Sequence, residues 1–376
     1  MEEKRIRVAI THGDTNAVGY ELIFKVFSEP AMLELCTPII YGSPKIAAYH
    51  RKALDMQTTF TIINHPNEAC EGKLNILPTF DEEIKVEIGV PSTEAGKAAR
   101  IALEKAVSDY QNGFFDVLVT CPVNIQKMKE DGFPCNGQAE YIENQLQQQG
   151  KAINMLVCND LKIGLATSQI PLAEVGKHIT KELIVEKATA LSNTLKRDFS
   201  ISNPRIAVFA LNPTHGDKQF VGSEEQNVII PAVNELMEKR INAFGPFAAD
   251  EFLKEQAYQH FDAMLALHEE QGAIPFKILG EEKNGVGYTA GLSLIRTAPD
   301  MDTLYNIAGK NVADENKLRH AIYLAIDTFR CRKNYDLPLA NPLPKLYRER
   351  RDDSEKVRFA IPKKKEEDIQ QDQSEE

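Results

Sequence analysis

The 376-residue sequence predicts an α/β protein with a mostly parallel sheet and helices on both faces. Three observations predict it. Short β-rich runs alternate with segments of helical periodicity. The chain is longer than a single growing core supports, so two lobes, or one domain with a tail, are expected. Several strand-like runs also end in polar, glycine-containing loops, where catalytic loops of open α/β sheets tend to sit.

The rhythm starts at the N-terminus. Arg5 to Thr11 reads as a strand, Tyr20 to Ser28 as a helix, Pro38 to Tyr41 as a strand, Pro44 to Leu54 as a helix and Phe60 to Asn64 as a strand. From Ser92, an N-cap candidate, to Asn112, the residues Ala95, Ala99, Ala102, Leu103, Ala106 and Val107 keep helical spacing, and Gly113 stops the run. Phe115 to Pro122 then reads as a buried strand ending in a polar loop. Asn159-Asp160 is the turn of a hairpin between Met155–Cys158 and Lys162–Thr167. Further strands are expected at Arg205 to Leu211, Phe261 to Leu267 and Val286 to Ala290. Further helices are expected at Thr180 to Arg197, Glu224 to Arg240, Asp250 to His260 and Asp314 to Arg332. Past Leu346 mixed charge replaces apolar residues, so a disordered tail is expected, with a short docked strand around Val357 to Ile361 as the exception.

Composition excludes several classes. With 43% apolar and 26% charged residues the bulk of the chain is globular, and its longest apolar runs are strand length, far short of a bilayer span. The charged N-terminus passes directly into a strand without a secretory h-region, so a cytoplasmic protein is expected. Six cysteines lie scattered without close ligand spacing, which points to reduced thiols and against a zinc-cysteine site. A net charge of -11 disfavours nucleic acid as a partner.

Four loops carry candidate chemistry. Thr11 to Glu21 is a glycine- and oxygen-rich turn opening a helix; it is either an anion site made of backbone N–H groups or an ordinary turn using Gly13 and Gly19. Cys121 to Asn124, Leu211 to Asp217 and Leu267 to Gly272 are plausible cleft lining. The run His268-Glu269-Glu270-Gln271-Gly272 contains half of a zinc H-E-x-x-H motif, but Gly272 occupies the second ligand position. Glu269 and Glu270 are either a solvated pair or an acid and a base. Lys277 and Arg296, read as ending neighbouring strands, either clamp a phosphate or are surface charges.

Taken in order, Thr11-His12-Gly13-Asp14, Val119 to Asn124 with Lys127, Leu211-Asn212-Pro213, Gly222-x-Glu224-Glu225, Phe244-Gly245-Pro246, Phe261 to Ala266, Gln271-Gly272, Ile295-Arg296-Thr297 and Ile307-Ala308-Gly309 resemble the 4-hydroxythreonine-4-phosphate dehydrogenase family. The resemblance implies a two-lobed α/β/α subunit with the isocitrate dehydrogenase-like fold, a homodimer, and an active site in the cleft between lobes. The lobes would be 1–135 with 300–345, and 136–299 carrying the dimerisation elements, followed by the tail 346–376. The implied reaction is NAD-dependent oxidation, with decarboxylation, of a phosphorylated hydroxy amino acid on the route to pyridoxal phosphate.

Carried over residue by residue, the resemblance implies Glu269, Glu270 and Asp250 as catalytic positions. It implies Gln138, Ala139, Lys277, Gly287 and Arg296 as substrate-binding positions, and Gly13, Asp14, Asp300 and Thr303 as cofactor-binding ones. The family's three metal-binding histidines fall on Gln169, Thr214 and Glu269, all substituted here. A rebuilt site would use Glu269, His215 and the Gln169 amide, an oxygen-rich set that suits magnesium or manganese better than zinc. The family's Gly-His-Thr-Glu reads Gly137-Gln138-Ala139-Glu140, its Asp-His-Gly-Thr reads Asp300-Met301-Asp302-Thr303, and the asparagine of its Val-Asn strand is Gly287. Two readings follow: a dehydrogenase of the family, or a homologue that binds a phosphorylated small molecule in the same cleft without hydride transfer.

Overall fold

The computed structural model describes residues 5–80, 84–148, 151–214, 219–280 and 284–341. The expected tail, its docked strand and His215 lie outside the described residues. Residues up to Asp336 form one compact unit.

In chain order the first elements are β1 (Arg7–Thr11), α1 (Gly19–Val26), α2 (Pro30–Leu35), β2 (Thr37–Gly42), α3 (Pro44–Ala53), β3 (Thr61–Ile62), β4 (Asn75–Pro78), α4 (Thr93–Gln111), β5 (Val117–Thr120), α5 (Ile125–Glu130) and α6 (Gln138–Gln145). There follow β6 (Ile153–Cys158), β7 (Leu161–Leu165), α7 (Leu172–His178), α8 (Lys181–Asp198), β8 (Arg205–Phe209), α9 (Ile230–Glu238), β9 (Asn242–Phe247), α10 (Ala249–Lys254), β10 (Ala263–Ala266), α11 (Glu269–Leu279), β11 (Val286–Ala290), β12 (Ile295–Pro299) and α12 (Asn316–Ala340).

The strands form one sheet in the order β3-β4-β2-β1-β5-β12-β11-β6-β7-β10-β8-β9. From β3 to β12 neighbours run parallel, as they do from β7 to β9. Between these halves, β12, β11, β6 and β7 pair antiparallel. Three reversals leave the two parallel halves pointing in opposite directions. Their join is the middle of the sheet, and β1, buried along nearly its whole length, shows the continuous apolar run of a strand covered on both faces.

Local chemistry explains most boundaries. Ser92 Oγ accepts the Ala95 N–H at 3.1 Å and caps α4, and Thr180 caps α8 through the Leu183 N–H. Ser43 caps α3, with Pro44 at its first position. The hairpin of β6 and β7 turns at Asn159, in the left-handed region at φ 50°. The expected helix Asp250 to His260 is instead broken: α10 ends at Lys254, Gln256 adopts φ 55°, and a short 3₁₀ turn follows over Ala257–His260.

Other elements were hidden by their residues. Gly245-Pro246 lies in β9, which the sequence did not reveal as a strand and which tolerates proline because it is the edge strand. Gly272 and Pro275 disguise α11, and the polar Arg296 and Thr297 disguise β12.

A buried ion pair joins three elements behind the centre of the sheet. Arg332 of α12 donates through Nε to Asp198 Oδ1 (2.6 Å), at the end of α8, and through Nη1 to the carbonyls of Leu292 and Ser293. The Tyr288 hydroxyl of β11 donates to Asp198 and accepts from Arg332. Removing one partner strands the other charge in the interior. Arg332→Ala is therefore expected to cost about 3–5 kcal/mol in urea unfolding, and a loss no larger than that of an exposed ion pair would refute this role.

His12 is buried in a stack with Tyr20, their ring centroids 5.3 Å apart, and His50 also stacks on Tyr20. Burial, reinforced by the nearby His50, lowers the His12 pKa to about 3. Between that value and the ordinary range near 6.5, the unfolded chain binds a proton that the folded chain refuses. The His12 contribution is complete above the ordinary pKa and declines as pH falls toward the folded one, by at most about 1.4 kcal/mol per pH unit. Chemical denaturation of wild type and His12→Gln across this acidic window should show a shallower pH slope in the variant; equal slopes would clear His12.

Candidate active site

The five adjacent strands β5, β12, β11, β6 and β7 floor a cleft of about 530 Å³. Side chains alternate across a strand, so one face of the sheet presents Arg296, Ala298, Gly287, Thr289, Asn154 and Leu156, all of which line the cleft. Register places Thr289 opposite both Arg296 on β12 and Asn154 on β6. The alternate residues Ile295, Tyr288 and Met155 belong to the main apolar core.

Arg296 is the dominant charge of this floor. Its Nε and Nη2 both donate to Thr120 Oγ1, at 2.9 and 2.6 Å, and Nη1 donates to Thr289 Oγ1 at 3.2 Å. Among the described residues no carboxylate pairs with it. Desolvation lowers its pKa to about 10, so it stays charged at neutral pH while remaining partly open to the cleft. A guanidinium with hydroxyl partners only retains its attraction for an anion.

One wall is the start of α6, Gly137 to Glu140. Gly137 supplies no capping side chain, which leaves the first-turn N–H groups and the positive end of the helix available to an anion. Lys187 of α8 adds a second cation on the rim, bonded to the Ala152 carbonyl at 2.7 Å and close to Glu186. Next to it, with the Gln169 amide against Gly137, the lining continues through the loop Ser168 to Ile170 and Glu269, the first residue of α11. Gln169 adopts φ 56°, and its backbone N–H donates to Glu269 Oε2 at 2.8 Å.

The cleft therefore gathers Gln138, Ala139, Gln169, Glu269, Gly287 and Arg296 from the residues singled out in the sequence. Thr214, Asp250, Glu270, Lys277, Gly13, Asp14, Asp300 and Thr303 do not line it. Lys277 does not end a strand beside Arg296 as expected: it is an exposed residue in the last turn of α11, a helix masked by Gly272 and Pro275.

Lys277 borders instead a second cavity of about 710 Å³, with Asp300, Leu304, Ile307, Val312, Asp314 and Lys317. This cavity shares Met301 and Asp302 with the first. Gly13 and Asp14 are buried, and the Asp14 N–H is committed to the Pro122 carbonyl. Burial raises the Asp14 pKa, and its carboxylate accepts the Tyr305 hydroxyl at 2.7 Å, which buttresses the segment carrying Thr303 from behind. This loop has the geometry of an ordinary strand-to-helix turn.

Thr120, Thr289, Asn154 and Lys187 join the cleft without having been singled out. Strand alternation from Arg296 would have found Thr289. Lys187 sits on a helix with no motif around it.

Of the positions matching the family's metal ligands, Gln169 and Glu269 line the cleft and Thr214 does not. Gln169 and Thr214 are neutral donors, and the one carboxylate, Glu269, already accepts a backbone N–H. Thr214 pairs with Phe220 in an isolated β-bridge instead of facing the cleft. Among the described residues, no three His, Cys, Asp or Glu side chains converge.

Fold and cleft together define an α/β protein with an anion-receptive floor at the middle of its sheet. Residues 34–325 match the family described as pyridoxal phosphate biosynthetic protein PdxA. The chain is 51% identical to a 4-hydroxythreonine-4-phosphate dehydrogenase of Bacteroides thetaiotaomicron, over 96% of its own length and 98% of the relative's. It is 36% identical to the Sulfurihydrogenibium enzyme of the same name, covering 87% of this chain and 100% of the other. A solved 4-hydroxythreonine-4-phosphate dehydrogenase from Klebsiella pneumoniae superposes with a TM-score of 0.75 at 25% identity, covering 88% of this chain and 99% of that one. The chain belongs to the 4-hydroxythreonine-4-phosphate dehydrogenase (PdxA) family.

Thr120→Val removes the acceptor of two Arg296 N–H groups. It is expected to misplace the guanidinium and weaken inorganic phosphate binding about tenfold, the scale of a hydrogen bond to a charged group. Calorimetry with phosphate checks this; an unchanged affinity would exclude Thr120 from the anion site.

Proposed function

We propose that this chain is an oxidoreductase of pyridoxal phosphate biosynthesis that oxidises a phosphorylated hydroxy amino acid with NAD, followed by decarboxylation, as a cytoplasmic homodimer. The observation that carries the reading is Arg296: a cation without a carboxylate partner among the described residues, at the floor of a cleft whose wall is a helix N-terminus. Both features favour a phosphate monoester. The 51% identity to a relative named for such a substrate supports the same class.

The second cavity suits a dinucleotide. Lys277 and Lys317 can meet its phosphates, Asp300 a ribose hydroxyl, and Leu304, Ile307 and Val312 the apolar face of a ring. NAD bound there supplies the hydride acceptor. The residues of the chain do the rest. Arg296 and the start of α6 hold the phosphate, Gln138 and Asn154 orient the body of the substrate, and Glu269, at the rim with Oε2 steadied by Gln169, takes the hydroxyl proton as the C–H bond gives up hydride. No step requires Glu270, Asp250 or Thr214.

The homodimer reading draws on exposed Ile274, Ile278 and Leu279, an apolar stripe on α11. Among the described residues no helix is long and apolar enough to cross a membrane.

Mixing the purified chain with NAD and 4-phosphohydroxythreonine should give a rise in NADH absorbance. Arg296→Ala should lower kcat/KM by roughly 100-fold or more, since it removes a charged bidentate contact. Absence of turnover, with phosphate binding intact, would instead leave a ligand-binding homologue.

A further inference from the structure

Residues 300–314, a stretch of turns and extended chain between β12 and α12, form one wall of the second cavity. Leu304, Ile307 and Val312 of this stretch line it. The shape of the wall is not one its residues prefer. Leu304 at φ 52° and Asn311 at φ 58° hold left-handed backbone that an L side chain disfavours, while Gly309 at φ 78° adopts it freely. Such a conformation persists only where surrounding groups impose it.

The groups that impose it come from the glycine-rich turn and from α1. At the near end, on either side of Leu304, the Val18 N–H donates to the Thr303 carbonyl at 3.4 Å and the Tyr305 hydroxyl donates to Asp14 Oδ2 at 2.7 Å. At the far end both backbone groups of the buried Ala313 are held. Its N–H donates to Glu21 Oε1 at 2.8 Å, and its carbonyl accepts Lys25 Nζ at 2.7 Å. Lys25 Nζ also donates to Glu21 Oε1 at 2.8 Å, so the three residues close a ring.

Burial makes Glu21 a costly residue at this position. It is only 1% exposed, and its second oxygen, Oε2, meets no hydrogen-bond donor among the described residues. A carboxylate in the first turn of a helix favours the helix dipole equally well from the surface, whereas a buried one must be paired to be tolerated. What the interior position adds is the hold on Ala313. Glu21 and Lys25 line neither cavity, so whatever they do for a ligand is done through the wall.

We infer that Glu21 and Lys25 are positioning residues of the second cavity: the pair pins Ala313 and, with Asp14 at the other end, holds 303–313 in the shape that a nucleotide meets. The inference rests on the proposed reading of that cavity as a dinucleotide site. It gives the glycine-rich turn a task at the cofactor site that needs none of its N–H groups on a phosphate.

The test uses the full chain and the variants Glu21→Gln and Lys25→Met. Calorimetry gives the affinity for NAD and for inorganic phosphate, and amide hydrogen exchange is followed segment by segment. Each variant is expected to weaken NAD binding about tenfold, the scale of a hydrogen bond to a charged group, and to leave phosphate affinity unchanged. Exchange of 303–313 should become faster while β5 and β11 keep their protection. Lys25→Met leaves the buried carboxylate in place, so it carries the comparison should Glu21→Gln fail to fold. Unchanged exchange in 303–313, unchanged NAD affinity, or a parallel loss of NAD and phosphate affinity would each overturn the inference. A wild-type chain that binds no NAD, yet whose segment 303–313 is loosened in both variants, would sink the dinucleotide reading and uphold the positioning role.

Discussion

The structure depends on the ion pair between Asp198 and Arg332, with the Tyr288 hydroxyl inserted between them. Two charges and a phenol withdrawn from water tolerate one another only while all three are present. Their mutual need holds the end of α8 and the body of α12 against β11. Tyr288 points to the back of β11, so its neighbours Gly287 and Thr289 point to the front, where they floor the cleft. A buried electrostatic knot on one face of a strand thereby sets the geometry of an open site on the other.

The two arginines near this strand show opposite uses of the same side chain. Arg332 meets a carboxylate, two carbonyls and a phenol, which leaves its charge fully spoken for. Arg296, on the next strand, meets among the described residues the hydroxyls of Thr120 and Thr289. Threonine oxygens fix the plane of the guanidinium without cancelling its charge.

Much of the fold was legible from the sequence because its signals are local. The α4 cap at Ser92, the hairpin turn at Asn159, and the apolar runs of β1 and β5 need nothing beyond their neighbours to be read. The elements that escaped were those in which tertiary position overrode local preference: β9 with an internal proline on a free edge, α11 with Gly272 and Pro275, and β12 with two polar residues over the cleft. Missing α11 had a direct cost for the site, since it placed Lys277 beside Arg296 when the helix carries it into the neighbouring cavity. Arg296 itself was legible, but its partners were not. Thr120, Thr289 and Asn154 become neighbours only through the non-sequential order β5-β12-β11-β6, which no local pattern encodes.

Gly287 occupies the middle of the cleft floor without the usual reasons for glycine. Its backbone torsions are open to any residue, and a Cβ built on it would find only the Ala298 carbonyl oxygen, 3.8 Å away. The position is therefore free to vary in size and polarity with little strain, while the knot behind it stays unchanged. A lineage could retune what this floor accepts by changing a single codon, and the scaffold would register almost nothing.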